Sequence, residues 1–319
     1  MASRKSTASA DSGKMATTEG GQPARSFRIG AQEIAARPLA PGLYLVSTPI
    51  GNLGDMTIRG LETLAGADII ACEDTRVSRV LLDRFGITTR PYAYHEHNAE
   101  RAGPKLMAAL EAGKSVALIS DAGTPLVSDP GYRISQTAIE AGVPVIPIPG
   151  ASAPMAALVA SGLPSDTFLF AGFLPSKDKA RRDRLASFAA IEATLMFFES
   201  PNRLAACLKS AAEVLGTDRP AAVCRELTKA YEEIRRGTLG ELAASYEDET
   251  VRGEIVLVIA PGSTPPPSED DVDALLARLA SDLPAGKAAT EAARLTGLNR
   301  KDLYARLLAM KTVSPRDEA

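Results

Sequence analysis

Two Ser-Asp pairs, Ser120-Asp121 and Ser128-Asp129, lie within ten residues in a Gly/Pro-rich loop that follows the apolar run Val116–Ile119. Hydroxyls and carboxylates on a sharply turning loop suit the holding of a small ligand. Parallel α/β sheets bind their ligands just beyond the carboxyl ends of the strands. An ordinary strand-to-helix turn accounts for one Gly and one Pro, but poorly for both pairs. Two further loops share this character, Val46–Thr57 and Ile146–Ala153, the second opening a helix. Strand ends in one parallel sheet converge, so the three loops should line a single cleft, with Gly51, Gly123 and Gly150 letting backbone approach a ligand closely. No Gly-x-Gly-x-x-Gly follows a strand and no Gly-x-x-x-x-Gly-Lys-Ser/Thr is present, which disfavours dinucleotide and P-loop nucleotide sites.

Charged groups follow other strand-like runs. Cys72-Glu-Asp-Thr-Arg76 and Tyr94-His-Glu-His-Asn98 point at the same cleft. Asp74 or Thr75 alone reads equally well as a helix cap, but capping does not account for Glu73 and Arg76 together. His95-x-His97 has no third Cys or His nearby, so His95 reads as a polar cleft residue and no metal site is expected. In the second half, Phe197-Phe-Glu-Ser-Pro-Asn-Arg203 and Cys224–Glu233 place charge at strand ends. Glu199 also fits a plain structural role, an acid at a helix N-terminus. Arg225, Glu226 and Lys229 invite an anionic or hydroxyl-bearing substrate, a solvated loop being the alternative.

Apolar runs near 43–47, 68–71, 115–119 and 143–148, with one more ahead of Tyr94, alternate with helix-length amphipathic stretches near 57–65, 75–84, 99–111, 132–141 and 152–160. That rhythm predicts a largely parallel sheet flanked by helices over 42–162. After Ser161-Gly-Leu-Pro-Ser-Asp166 a second series, 163–261, has strands near 167–171, 193–198, 220–224, 231–237 and 253–259; short connections between the last three predict a mixed sheet. Pro261–Pro267 reads as a stiff linker, and 268–313 as a small helical segment that is either a helix-turn-helix element docking on nucleic acid or a solvated appendage. Residues 1–38 are Ser/Thr/Gly/Ala-rich without periodicity and are expected to be disordered.

With 319 residues and 45% hydrophobic content, the chain can bury a sizeable core. No apolar run approaches the roughly 18–20 residues a membrane span needs, so a cytoplasmic protein without membrane contact is expected. The three cysteines form no Cys-x-x-Cys pair and read as reduced thiols. A net charge of −3 gives no global nucleic-acid signal, so a polyanion would have to meet a local basic patch. Lys177, Lys179, Arg181, Arg182 and Arg184 form one candidate and the C-terminal helices another, though a run of this kind is also a common solvated helix face.

Taken together, Ser47–Asp55, Cys72–Arg76, His95–Asn98, Ser120–Pro125, Phe197–Arg203 and Arg225–Lys229 closely resemble the bacterial ribosomal RNA small subunit methyltransferase I family, in order and spacing over about 42–260. The resemblance implies a two-domain tetrapyrrole-methylase (class III methyltransferase) α/β fold and a homodimer. It also implies transfer of a methyl group from S-adenosylmethionine to the ribose 2′-oxygen of a 16S rRNA cytidine, with rRNA or the small ribosomal subunit as partner. By motif, Pro49, Gly51, Ser120, Asp121, Ala122, Gly123, Thr124, Gly150, Ala151, Ser152 and Glu199 are expected at the cofactor. Asp74, His95, Glu226 and Lys229 are candidates for base or hydroxyl-orienting groups, with Lys229 needing a lowered pKa to act as base. Arg76, Arg203, Arg225, Lys177, Arg181 and Arg182 are expected RNA contacts. Tetrapyrrole enzymes usually carry Gly-x-Gly-Pro-Gly where Ser47-Thr-Pro-Ile-Gly51 stands here, a departure that favours RNA as substrate. A tetrapyrrole methyltransferase and a non-catalytic ribosome-assembly factor are the alternatives.

Overall fold

The computed structural model describes residues 25–128, 131–262 and 269–313, with side chains through Met310. Strands β1 (Ser26–Ile29) and β2 (Gln32–Ala35) form an antiparallel hairpin. The first sheet contains β3 (Gly42–Val46), β4 (Ile69–Cys72), β5 (Pro91–Ala93), β6 (Ser115–Ile119) and β7 (Val145–Ile148) in the order β5-β4-β6-β3-β7, every pair parallel. Parallel strands need crossovers, supplied by α1 (Ile58–Gly66), α2 (Thr75–Arg84), α3 (Ala99–Glu111) and α4 (Tyr132–Glu140). Alternate residues feed two cores: Ile70, Cys72, Ala117 and Ile119 on one face, Ala71, Val116 and Leu118 on the other. All five strands therefore release their chain at one edge, where the loops of interest lie.

The second sheet runs β11 (Glu233–Thr238), β10 (Pro220–Arg225), β12 (Ile255–Ile259), β9 (Thr194–Glu199), β8 (Phe168–Phe173), with β8 and β9 parallel and the remaining pairs antiparallel. Its period-two pattern assigns Leu195, Phe197, Val223 and Leu257 to a core shared with α6 (Asp178–Ala186), α7 (Leu204–Leu215) and α8 (Leu239–Ser245). Met196, Ala222, Cys224, Val256 and Val258 face the other way, onto Ala157 and Leu158 of α5 (Ala153–Ser161) and Ile50. Because α5 directly follows β7, this packing presses the loop edge of the first sheet against the inner face of the second. α9 (Glu269–Asp282), α10 (Ala285–Thr296) and α11 (Arg300–Val313) close around their own core of Val272, Leu276, Ala288, Ala292, Leu303 and Leu307.

The expected disorder through residue 38 is corrected for 25–38; residues 1–24 lie outside the described residues, as do 263–268 of the expected linker. The physical reason is Phe27, 1% exposed in the core beside Leu61, Leu64 and Ile87. Arg28 N–H donates to the Phe85 carbonyl (2.7 Å) and the Arg25 guanidinium pairs with Asp68 (2.8 Å), so the hairpin is tied along α1 and α2. Phe27→Ala should cost about 3–5 kcal/mol of stability, read as a lowered urea midpoint; a tail without a packing role would leave the midpoint unchanged.

Candidate functional site

Three strand-end loops are stapled to one another by their own polar atoms. Thr48 and Gly123 exchange backbone hydrogen bonds (Thr48 N to Gly123 O 2.9 Å, the reverse 3.0 Å), forming an isolated antiparallel bridge. Ser47 Oγ lies 3.1 Å from Thr124 Oγ1, which donates to the Ala151 carbonyl at 3.1 Å. Ser120 Oγ donates back to the Gly123 carbonyl at 3.3 Å. A methyl added at Gly150 would sit 2.9 Å from Ser47 Cβ, so the absence of a side chain there lets the third loop close on the first. Of the residues expected at a cofactor, Ser120, Gly150 and Ala151 thus build the frame of the site.

Against this frame lies an apolar chamber of about 370 Å³ between the two sheets. Ile50, Val127, Phe173, Phe198, Leu227 and Val256 supply its apolar wall, and Ala122, Gly123, Thr124, Ser152 and Glu199 of the expected set also line it. Pro49 and Gly51 do not, although both belong to the first loop. Glu199 is 3% exposed; its Oε1 lies 3.3 Å from Arg203 Nε, and its Oε2 has no hydrogen-bond partner. Cys224 shares the wall, and burial pushes its thiol up to about 11. All four non-glycine residues with left-handed φ among the described residues, Leu126, Ser128, Glu226 and Thr228, sit in the two loops flanking this chamber. Each such conformation costs about 1–3 kcal/mol, which the surrounding packing must offset; such strain clusters at ligand sites.

A second chamber, open and polar, spreads over the ends of β4, β5 and β6, with about 1270 Å³ of space. Glu73, Asp74, Arg76, His95, Asp121, Tyr132 and Arg133 line it, and Ser128 lines both chambers. Asp121 faces this side while its neighbour Ala122 faces the apolar one, and Asp121 accepts the Asp74 N–H at 3.0 Å. Asp74 caps α2 and grips Arg76 (Nη2 to Oδ2 2.6 Å); the hydrogen bonds from Arg76 hold its carboxyl down to about 2. A carboxylate so held is a weaker proton acceptor than a free one. His95 precedes a short 3-10 turn, Glu96–Asn98; Asn98 fixes the turn by accepting from His95 N–H and donating to the Ala93 carbonyl.

Apart from Lys177, the remaining expected residues are taken up by contacts within the protein. Lys229 Nζ reaches Glu226 Oε1 at 2.8 Å and Glu254 Oε2 at 3.2 Å. Burial works to lower its pKa, but those two carboxylates prevail and raise it, the opposite of what a role as base would need. Its aliphatic stem crosses the position a side chain at Gly51 would occupy, 2.4 Å from an added Cβ. The hydrogen bond from Lys229 likewise lowers the pKa of Glu226, and neither residue lines a chamber. Arg225 pairs with Glu233 (3.0 Å), while Arg203 holds Glu199 and the Leu174 carbonyl. Arg181 is 5% exposed and donates to Ser210 (3.0 Å) and Asp178 (2.8 Å), so it is not an RNA contact but part of the α6–α7 packing. Arg182 is paired with Asp178 and Glu213 on the same helix pair, on the sheet face opposite the apolar chamber, and Lys177 alone of the three is exposed without a partner.

Sequence reasoning passed over Phe173, Phe198, Leu227, Tyr132 and Arg133. Phe198 stood within a quoted motif, and only the alternation of β9 tells it from Phe197, which turns into the opposite core. Gly150→Ala should destabilise the fold by about 1–3 kcal/mol through overpacking against Ser47, measured by chemical denaturation. For Glu226 the folded pKa is depressed, so its ion pair contributes fully above the ordinary glutamate value of about 4.3 and is lost as pH falls through the lower folded value. The unfolding free energy of Glu226→Gln from urea titration should therefore trail the parent by about 1 kcal/mol near pH 7, with the gap closing towards pH 3.

Residues 42–243 match the family model of tetrapyrrole (corrin/porphyrin) methylases, and residues 266–311 match that of the RsmI C-terminal HTH domain. A protein named ribosomal RNA small subunit methyltransferase I from Mesorhizobium japonicum is 61% identical over 287 residues, covering 90% of this chain and 98% of its own. The protein of that name from Escherichia coli O157:H7 is 47% identical over 266 residues, covering 82% and 93%. Among solved structures, the cobalamin biosynthetic enzyme cobalt precorrin-4 methyltransferase superposes with a TM-score of 0.53 at 18% identity, over 68% of this chain and 94% of that one. Diphthine synthase gives 0.51 at 18% identity over 68% and 89%, and both similarities speak for the fold alone. With matching family models over both the two-sheet body and the C-terminal helices, and relatives aligned along nearly their whole length, the chain is a methyltransferase of the tetrapyrrole-methylase fold that belongs to the ribosomal RNA small subunit methyltransferase I family.

Proposed function

We propose that the protein transfers a methyl group from S-adenosylmethionine to the ribose 2′-oxygen of a cytidine in the decoding region of 16S rRNA. The observation that carries this reading is the adjacency of two unlike chambers at one wall, Asp121-Ala122 and Ser128. The apolar chamber suits an adenosyl thioether ligand: its walls are largely aliphatic and aromatic, and its size falls in the usual range of small-molecule sites. Ala122, Gly123, Thr124, Ser152 and Glu199 would hold it. When bound, S-adenosylmethionine supplies an electrophilic methyl on a sulfonium. The polar chamber is open enough for a single nucleotide extruded from its strand, with Arg133 on its wall to meet phosphate.

Positioning should dominate the catalysis: preorganised geometry supplies roughly 7–11 kcal/mol, against about 10²- to 10⁴-fold for one acid–base group. The chain is acidic overall, so RNA would be gripped locally. Lys177, Lys287, Arg300 and Lys301 are exposed, whereas Arg294 and Arg306 of the C-terminal helices are taken up by Glu291 and Asp273. We read the three-helix segment as the RNA- or ribosome-docking module and the active form as a homodimer. Exposed apolar side chains such as Met155 and Val159 on α5 supply surface for a second copy.

Labelled methyl from S-adenosylmethionine should appear in small ribosomal subunits or naked rRNA and, after nuclease digestion, reside on a cytidine 2′-oxygen. Label on a base, or none on either substrate despite measured donor binding, would overturn the reading.

A further inference from the structure

One carboxylate of the polar chamber is consumed by nothing around it. Glu73 is half-buried immediately after β4, lines the chamber, and makes no hydrogen bond or ion pair among the described residues. Its acidic neighbours are committed or solvated: Asp74 to Arg76, Asp121 to the Asp74 amide, Glu96 and Glu100 exposed at the rim. The titratable and charged groups that line the chamber with it come from every element around it: Asp74 and Arg76 at the start of α2, Asp121 after β6, His95, Glu96 and His97 after β5, Glu100 on α3, and Tyr132 and Arg133 on α4. Burial first, then the charge of Asp121, raise its pKa, with His95 acting in the opposite sense. A carboxylate made more basic by its surroundings is the kind that serves as a proton acceptor near neutral pH. Lys229 and Glu226, by contrast, are locked together outside the chamber.

We propose that Glu73 accepts the proton of the ribose 2′-hydroxyl during methyl transfer, an assignment that rests on the function proposed above. The O–H bond breaks with its proton passing to the Glu73 carboxylate; the oxygen's electron pair forms the new O–CH₃ bond, and the C–S pair returns to sulfur as the neutral thioether leaves. Net charge is conserved, because the cationic sulfonium and the anionic carboxylate are both neutral afterwards. Bulk water can then take the proton, since the chamber is open.

The test uses the full-length protein with S-adenosylmethionine and whichever rRNA substrate the parent methylates. Glu73→Gln should bind S-adenosylmethionine and the RNA substrate within about twofold of the parent, yet lower the single-turnover rate about 10²- to 10⁴-fold. The parent rate should fall as pH drops through the Glu73 pKa, and that acid limb should vanish in Glu73→Gln and reappear in a slower Glu73→Asp. A Glu73→Gln rate within threefold of the parent would overturn the assignment, as would a slow variant that keeps the acid limb unchanged or loses donor affinity to the same degree. Absence of methyl transfer to rRNA by the unsubstituted protein would overturn the substrate reading itself, and this assignment with it.

Discussion

Loops that leave neighbouring parallel strands carry backbone groups that no sheet satisfies, and here they satisfy one another. The Thr48–Gly123 bridge, extended by Ser47, Thr124 and the Ala151 carbonyl, turns three connections into one rigid rim. Everything else depends on that rim. It fixes where Asp121 and Ala122 point, hence which chamber each faces, and it seats α5 so that Ala157 and Leu158 meet the inner face of the second sheet. The strained residues Leu126 and Ser128 follow directly on this rim, in the loop it holds.

The two chambers divide the work by dielectric. One is walled by Ile50, Phe198 and Val256 and holds few polar atoms, so a ligand there is bound by shape and burial. The other gathers carboxylates, guanidinium groups and an imidazole in an open setting where charges are screened but exchange with solvent is easy. A cationic small molecule and a polyanion can therefore occupy adjacent sites without either having to cross the environment of the other.

Much of this was legible in the sequence because buried parallel strands write themselves as unbroken apolar runs and their ends as Gly, Pro and polar residues. Five strand-end loops were recognisable on that basis. The hairpin at 26–35 was not, since its two four-residue strands are short, lie next to a Ser/Thr/Gly/Ala-rich stretch and bury only Phe27 fully. Arg181 looked like its exposed neighbours because a buried arginine on a basic helix differs from them only through Ser210, which lies on another helix. Lys229 and Glu226 had the right chemistry in the right loop, but what they do is set by Gly51 and Glu254, residues far away in the chain that convert two reactive-looking groups into a brace.

The neutral thiol in the wall of the apolar chamber bears on self-protection. A thiolate is the strongest nucleophile a protein offers, and one placed beside an alkylating sulfonium would compete with the intended acceptor and become methylated itself. Burial keeps Cys224 protonated well past physiological pH, so a reactive donor held in this chamber, as proposed above, would meet a neutral thiol and not a thiolate.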